Sequence, residues 1–262
     1  MFKLMLGFCL VVSGLLSGAA QADMVSAITR VKPSVVIVGT FKTTNSPRFN
    51  LRGTGFAVSN SPAGDTNLAI TNAHVLPQPG QEDVDASLVV QVRTATNELQ
   101  MRLATVLEVS RIHDLALLRL DGPPVQGLRV RDSKDVREGQ AVAFMGFPIG
   151  GALGFSPVTH RAMISSITAA ALPTASANQL NTQVIRSLRG DDSFDIFQLD
   201  GTAYPGNSGG PLFDPESGEV LGVLNMVFIK GTRESALTHP SGISYAIPSR
   251  FVVQLMQRYK GR

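Results

Sequence analysis

An all-β protein is what this sequence predicts. Short β-branched or aromatic runs recur along it, each bounded by Gly, Pro, Asn or Asp. Helical periodicity is convincing only near the C-terminus, and two adjacent prolines divide the strand-rich part into halves. Many short strands with turn punctuation and little helix favour a barrel or a sandwich.

In chain order the runs are Val35–Val38, Gly55–Val58, Leu88–Val92, Leu115–Leu120, Ala141–Phe144 and Val220–Ile229. The interruption is Gly122-Pro123-Pro124, where two residues without a backbone N–H follow a complete strand. It divides the body into an N-terminal unit, 23–122, and a C-terminal unit, 123–262. The terminal helix follows Pro248-Ser249, with Ser249 as the expected N-cap. Phe251, Val252, Leu255 and Met256 recur at helical spacing through Tyr259. The polar stretch from Pro173 to Asp195 is long for a connection and reads as a surface loop.

The first 22 residues form a separate segment. Lys3 precedes an uncharged run from Leu4 to Ala20, which ends in Ala20-Gln21-Ala22. A basic start, an apolar middle and an A-x-A site predict a secretory signal cleaved after Ala22. A retained anchor is the alternative. A helix of that run spans roughly 26 Å at 1.5 Å per residue, short of the roughly 30 Å hydrocarbon core. Phe8 before Cys9 spoils a lipoprotein-type cleavage site, and Cys9 is the only cysteine. The expected mature chain, 23–262, therefore has no disulfide and rests on its core alone. An exported protein, periplasmic or secreted, with a soluble body is the expectation.

The formal net charge is +3, and no run of five or six basic residues appears, so the high isoelectric point is not a nucleic-acid footprint. Arg186 and Arg189 are followed by Asp191 and Asp192. No His-x-x-x-His pair, cysteine cluster or glycine-rich phosphate loop occurs, which argues against a metal or a cofactor.

The chemistry is concentrated in Pro205-Gly206-Asn207-Ser208-Gly209-Gly210-Pro211. This run puts one hydroxyl on a glycine-framed bend that can aim the amides of Gly206 and Ser208 into a single small space. A serine needs a base near neutral pH, and the chain has four histidines: His74, His113, His160 and His239. His74 directly follows an apolar run in Thr71-Asn72-Ala73-His74-Val75. His113-Asp114 opens the strand Leu115–Leu120, which suits an orienting carboxylate. His113 sits beside the acid instead of opposite the glycine turn. His160 lies in an apolar strand pattern and reads as packed or exposed by alternation, while His239 precedes Pro240 in a polar loop, with a role at a substrate rim as the lesser alternative.

The order His74, Asp114, Ser208 in these contexts resembles the chymotrypsin/trypsin superfamily of serine proteases. The bacterial HtrA/Deg-type branch without a PDZ module is the most similar branch. The resemblance runs from about Val35 to about Pro248, and the sequence ends soon after the terminal helix. It implies two six-stranded antiparallel β-barrels with a C-terminal helix, and a triad assembled where the barrels meet. Ser208 would then be the nucleophile, His74 the base and Asp114 its orienter, with the Gly206 and Ser208 amides as the oxyanion hole.

Two departures from the digestive enzymes matter. The residue before the nucleophile is Asn207, where an aspartate would pair with a newly cleaved N-terminus, and the expected mature chain begins Asp23-Met24. Activation by N-terminal cleavage is therefore not expected. The position that selects basic side chains holds Thr202, with Asp200 two residues off it, and Met226 and Val227 fall on the opposite pocket wall. Small or medium aliphatic P1 residues suit this pocket.

These features together predict a serine endopeptidase for unfolded or flexible polypeptides. Its expected partners are polypeptide substrates, without nucleic acid and without membrane insertion after signal cleavage; the oligomeric state is left open. The rival class is a catalytically weak, polypeptide-binding or chaperone-like protein on a protease fold, and a weaker third is an esterase using the same acyl transfer.

Overall fold

A computed structural model describes residues 19–59, 64–77, 85–94, 96–148, 154–169, 194–225 and 242–260, with side chains from Met24 onward. The chain opens with helix α1 (Ala19–Val31). The first half then forms β1 (Val35–Phe41), β2 (Phe49–Ser59), β3 (Asp65–Thr66), β4 (Leu68–Asn72), β5 (Ser87–Arg93), β6 (Leu99–Ser110) and β7 (Leu115–Leu120). Two short strands follow, β8 (Val125–Gln126) and β9 (Leu128–Arg129). The second half forms β10 (Ala141–Gly146), β11 (Val158–Ala169), β12 (Asp195–Leu199), β13 (Pro211–Phe213), β14 (Val220–Asn225) and β15 (Ser244–Pro248), and ends in helix α2 (Arg250–Lys260).

The first sheet runs β1-β5-β6-β7-β4-β2, and the β1–β2 pairing closes it into a six-stranded barrel. The second barrel closes in the order β10-β11-β12-β15-β14-β13. Pairing within both barrels is antiparallel, as the resemblance implies. The chain does not leave the first barrel at Gly122-Pro123-Pro124. Beyond it β8 pairs with β3, and β9 adds to β2 as a parallel seventh strand.

Many of these strands read as unbroken apolar runs because their two faces enter two different cores. In β1, Val36 and Val38 fill the interior of the first barrel, while Val35 and Ile37 join the layer between the barrels. Leu118 and Leu120 likewise face into that barrel, and Leu115 and Leu117 face out of it into the shared layer. On β10, Phe144 fills the second barrel and Met145 the shared layer. A strand buried on both faces shows no alternation, so its period cannot reveal which side is which.

Both helices close the shared layer. α2 buries Phe251, Val252, Leu255 and Met256, as its sequence predicts. Its N-terminus is built otherwise than expected. The Ser249 hydroxyl donates to the Arg131 carbonyl at 2.5 Å, and the Arg250 amide is received by Ser133 Oγ from a distant turn. α1 was not legible as a helix, because its apolar positions continue straight out of the uncharged leader. It runs across the Ala22–Asp23 bond, and among the described side chains Met24, Ala27, Ile28 and Val31 pack from it.

Candidate active site

His74 lies in a single 3₁₀ turn, Ala73–Val75, where β4 ends. The turn is tied to the β6–β7 connection: the Ala73 amide and Asn72 Nδ2 both donate to the Asp114 carbonyl, at 3.1 and 3.0 Å. Asp114 takes a left-handed backbone, φ 49°, a conformation that aspartate tolerates better than most side chains. Its carboxylate thereby meets the histidine twice. Oδ1 accepts the His74 backbone N–H at 2.8 Å, and Oδ2 lies 2.6 Å from His74 Nδ1. A carboxylate offers only acceptors, so this contact puts the ring proton on Nδ1 and leaves Nε2 as the basic nitrogen. Arg52 secures the chain beyond the histidine by donating to the carbonyls of Val75 and Leu76.

Ser208 comes from the other barrel. Gly206 and Gly209 adopt φ 103° and 86°, which a residue with a Cβ rarely adopts. At Gly209 a Cβ would also lie 2.1 Å from the Thr54 carbonyl oxygen and 3.1 Å from the Asn72 amide. The Ser208 turn thus presses directly on β2 and on the end of β4, which leads into His74. Gly53 supplies the same evidence from the opposite side: a Cβ there would sit 2.8 Å from Val75 and 2.9 Å from the Ser208 carbonyl. These contacts bring the His74 turn and the Ser208 turn to either side of one glycine. The Gly206 amide donates to no acceptor among the described residues.

Two residues that the sequence did not single out join the halves. Asn225, fully buried at the end of β14, donates through Nδ2 to Asp114 Oδ2 at 2.7 Å. Thr54, fully buried on β2, donates through its hydroxyl to the Gly206 carbonyl at 2.6 Å and accepts the Phe147 amide at 3.1 Å. Its own amide donates to the Ser208 carbonyl at 2.8 Å, and its carbonyl accepts the Thr71 hydroxyl. The available signal was a polar residue inside an apolar strand, at Gly53-Thr54-Gly55 and after Leu224, without an evident partner nearby in sequence.

The other candidates are placed apart from this cluster. His113 stacks on Phe251 with ring centres 4.0 Å apart, and its Nδ1 lies 2.9 Å from Ser110 Oγ. Burial, reinforced by Arg258 and Arg250, lowers its pKa to about 4. His160 stacks on Phe144 in the second barrel, and burial lowers its pKa as well. Thr202 is half-buried in a segment pinned to β15, where the Ala203 amide donates to Ser244 Oγ and Ser244 Oγ donates to the Gly201 carbonyl. Asp200 is turned towards β11, its Oδ1 accepting the Met163 amide at 2.6 Å. Asn207 is fully buried, and its side-chain amide meets no hydrogen-bond partner among the described residues. Met226, Val227, His239, the proposed signal segment up to Gly18 and most of the stretch 173–195 lie outside the described residues. Among the described residues no group of three or more His, Cys, Asp or Glu side chains is placed to hold a metal. No described helix is long and apolar enough to cross a membrane.

Residues 53–223 match the trypsin-like peptidase domain family. A probable periplasmic serine endoprotease DegP-like of Marinomonas sp. is 28% identical over 208 residues, covering 79% of this chain and 35% of the relative. The protein of that name from Halomonas elongata is 30% identical over 196 residues, covering 75% of this chain and 32% of its own length. Serine protease HTR4 of Bos taurus is 27% identical over 245 residues, with 90% and 41% covered. The chain thus spans about a third to two-fifths of the length of these curated relatives. Among solved structures, Deg5 superposes with a TM-score of 0.62 at 20% identity, covering 89% of this chain and 92% of that one. The HtrA-type protease AlgW with tripeptide superposes with a TM-score of 0.60 at 23% identity, covering 89% and 62%. The two closed barrels and the family match over most of the chain agree, and the chain belongs to the trypsin-like peptidase domain family.

Proposed function

We propose that this chain is an exported serine endopeptidase that cleaves unfolded or flexible polypeptides through Ser208, His74 and Asp114. The observation that carries the reading is the Asp114 carboxylate, which meets both the ring and the backbone of His74 and is held from the far barrel by Asn225. In this reading Ser208 Oγ attacks the scissile carbonyl carbon while His74 Nε2 takes its proton. The oxyanion forms against the amides of Gly206 and Ser208, each donor worth roughly 10²–10³ in rate. His74 then returns the proton to the leaving amine. A water activated by the same nitrogen hydrolyses the acyl-enzyme.

A site shared between two barrels receives an extended chain more readily than a folded surface, which favours flexible substrates. The leader pattern and the periplasmic relatives support export. Thr202, Met226 and Val227 are the proposed specificity wall. Asp200 already receives the Met163 amide on the β11 side, so no described carboxylate compensates a basic side chain there. Cleavage should favour Val, Ala, Ile or Leu at P1, and profiling cut sites on a denatured proteome checks this. Dominant cutting after Arg or Lys would reject the assignment.

The test of the reading itself is labelling by a fluorophosphonate combined with digestion of a denatured protein. The wild-type chain beginning at Asp23 should do both, and Ser208→Ala should do neither. A Ser208→Ala variant that still digests, with contaminating protease excluded, rejects the proposed nucleophile.

A further inference from the structure

At the end of the first barrel remote from Ser208, a cleft of about 900 Å³ opens between α1, the β5–β6 hairpin and the segment around Pro123. Arg102 lies eight positions before Ser110 on β6, so these two residues are roughly 26 Å apart at about 3.3 Å per residue. Lys32, Arg93 and Arg102 line the cleft, and among the described residues no Asp or Glu does.

The two guanidinium groups are held in place by neutral acceptors alone. Arg102 Nε and Nη2 both donate to Gln100 Oε1, at 3.0 and 2.9 Å, and Nη1 donates to the Pro123 carbonyl. Arg93 Nη1 donates to the carbonyl and side-chain oxygen of Asn97, and Nη2 to the Phe155 carbonyl at 2.7 Å. Among the described residues neither arginine is paired with a carboxylate, and half-buried Lys32 meets no acceptor. Partial burial of Arg102 lowers its pKa, a cost that a bound anion would relieve. Oriented, uncompensated cations in a concave site are what recognition of carboxylates requires.

We propose that this cleft binds an acidic, extended stretch of polypeptide. Its volume exceeds the needs of one small anion and falls in the range of ligand clefts. Ile28, Pro33, Pro123 and Pro124 give an apolar floor that suits the methylene stems of glutamate and the peptide backbone, while the cations meet the carboxylates. Binding at this cleft is independent of the catalytic reading. Its use as an exosite, which would tether a substrate while a separate stretch reaches Ser208, rests on that reading.

The binding test uses the Ser208→Ala chain, which keeps the cleft and cannot turn over the probe. A fluorescein-labelled ten-residue peptide of alternating Glu and Ala is followed by anisotropy at about 50 mM salt, where charge pairs are weakly screened. Lys32→Glu breaks no hydrogen bond of the described structure, so it leaves the fold intact. It should weaken the peptide about fivefold or more, and Arg102→Gln about tenfold. A peptide with Gln for Glu should bind at least about tenfold more weakly. Equal affinity of the wild-type and Lys32→Glu cleft for the acidic peptide overturns the proposal. Displacement of the peptide by inorganic phosphate at equal concentration also overturns it, since that marks a small-anion site. In the active chain, Lys32→Glu should raise KM for a protein substrate carrying an acidic stretch while leaving kcat/KM for a short peptide unchanged. Failure of Ser208→Ala to abolish cleavage would remove the exosite role and leave the binding result standing.

Discussion

In the first barrel His74 and Asp114 are neighbours through bonds of that barrel: β4 ends, β7 begins beside it, and the carboxylate reaches the imidazole at 2.6 Å. In the second barrel Ser208 stands on a turn that is also bonded to the first. The Gly206 and Ser208 carbonyls both accept from Thr54 of the first barrel, and a Cβ at Gly209 would collide with the Thr54 carbonyl and the Thr71 hydroxyl. The proposed acid–base pair is thus local to one barrel, while the turn of the proposed nucleophile is bonded across the interface. Asn225 makes the reverse connection, from the second barrel to Asp114. Each barrel completes the half-site carried by the other.

The largest expected effects erase the comparison by removing a member of the proposed triad. Ser208→Ala and His74→Ala should fold and lose nearly all peptidase activity, and Asp114→Asn should cost roughly 10⁴ in turnover through the wrong histidine tautomer. The losses should not add in the double variants, because the three act as a unit. Steady-state kinetics with a burst-phase titration checks this; additive losses would mean the residues act separately.

Next in size, Thr54→Val probes the dependence of the nucleophile on the first barrel. It strands the Gly206 carbonyl and the Phe147 amide in a buried place, at about 1–3 kcal/mol for each unpaired group. Turnover should fall by about 10- to 100-fold with KM little changed. Thr54→Ser, which keeps the hydroxyl, should restore most of it. A wild-type kcat in Thr54→Val would show that the second barrel shapes its own turn. Asn225→Ala tests the reverse connection and should be milder, about tenfold, since Asp114 keeps both bonds from His74. A wild-type kcat in Asn225→Ala would reduce Asn225 to packing.

The smallest effect sharpens the comparison where α2 packs on His113, next to Asp114 in the chain. His113 is held neutral between Phe251 and Phe194, with its pKa lowered to about 4. In the unfolded chain it titrates near 6.5, so between these values the unfolded state binds the extra proton. The contribution is present in full above about pH 6.5 and is lost as pH falls towards 4. Melting temperature should drop from pH 7 to pH 5, and less steeply in His113→Phe, which keeps the stack without the titration. Parallel slopes for the two proteins would assign the drop to other groups.

Element type was legible in β-branched runs such as Val35–Val38, which favour a strand, whereas Leu115–Leu120 consists of good helix formers and reads as a strand only by its short length between turn residues. β6 and β11 were harder. β6 leaves Leu99, Met101 and Leu103 on an open face between polar residues, so its pattern is that of neither a core strand nor a turn. The three motif segments around His74, Asp114 and Ser208 stood out because glycines and apolar strands frame them. Thr54 and Asn225 did not, since a buried polar residue declares itself only by its partner, and their partners lie 152 and 111 residues away in the chain. His113 and His160 were separable from His74 by context, although their aromatic stacks were not foreseeable.

By itself, then, the sequence determined the all-β class, the terminal helix and the chemical identity of the proposed triad, because these follow from residue type within a few neighbours. Tertiary structure alone decided the rest: which face of each doubly buried strand enters which core, the return of β8 and β9 to the first barrel, the direction of Asp200, and the clasp between Thr54 and the Ser208 turn. Those outcomes depend on hydrogen bonds and close contacts between segments far apart in the chain, and such pairings are fixed only when the two barrels pack and exclude water from between them.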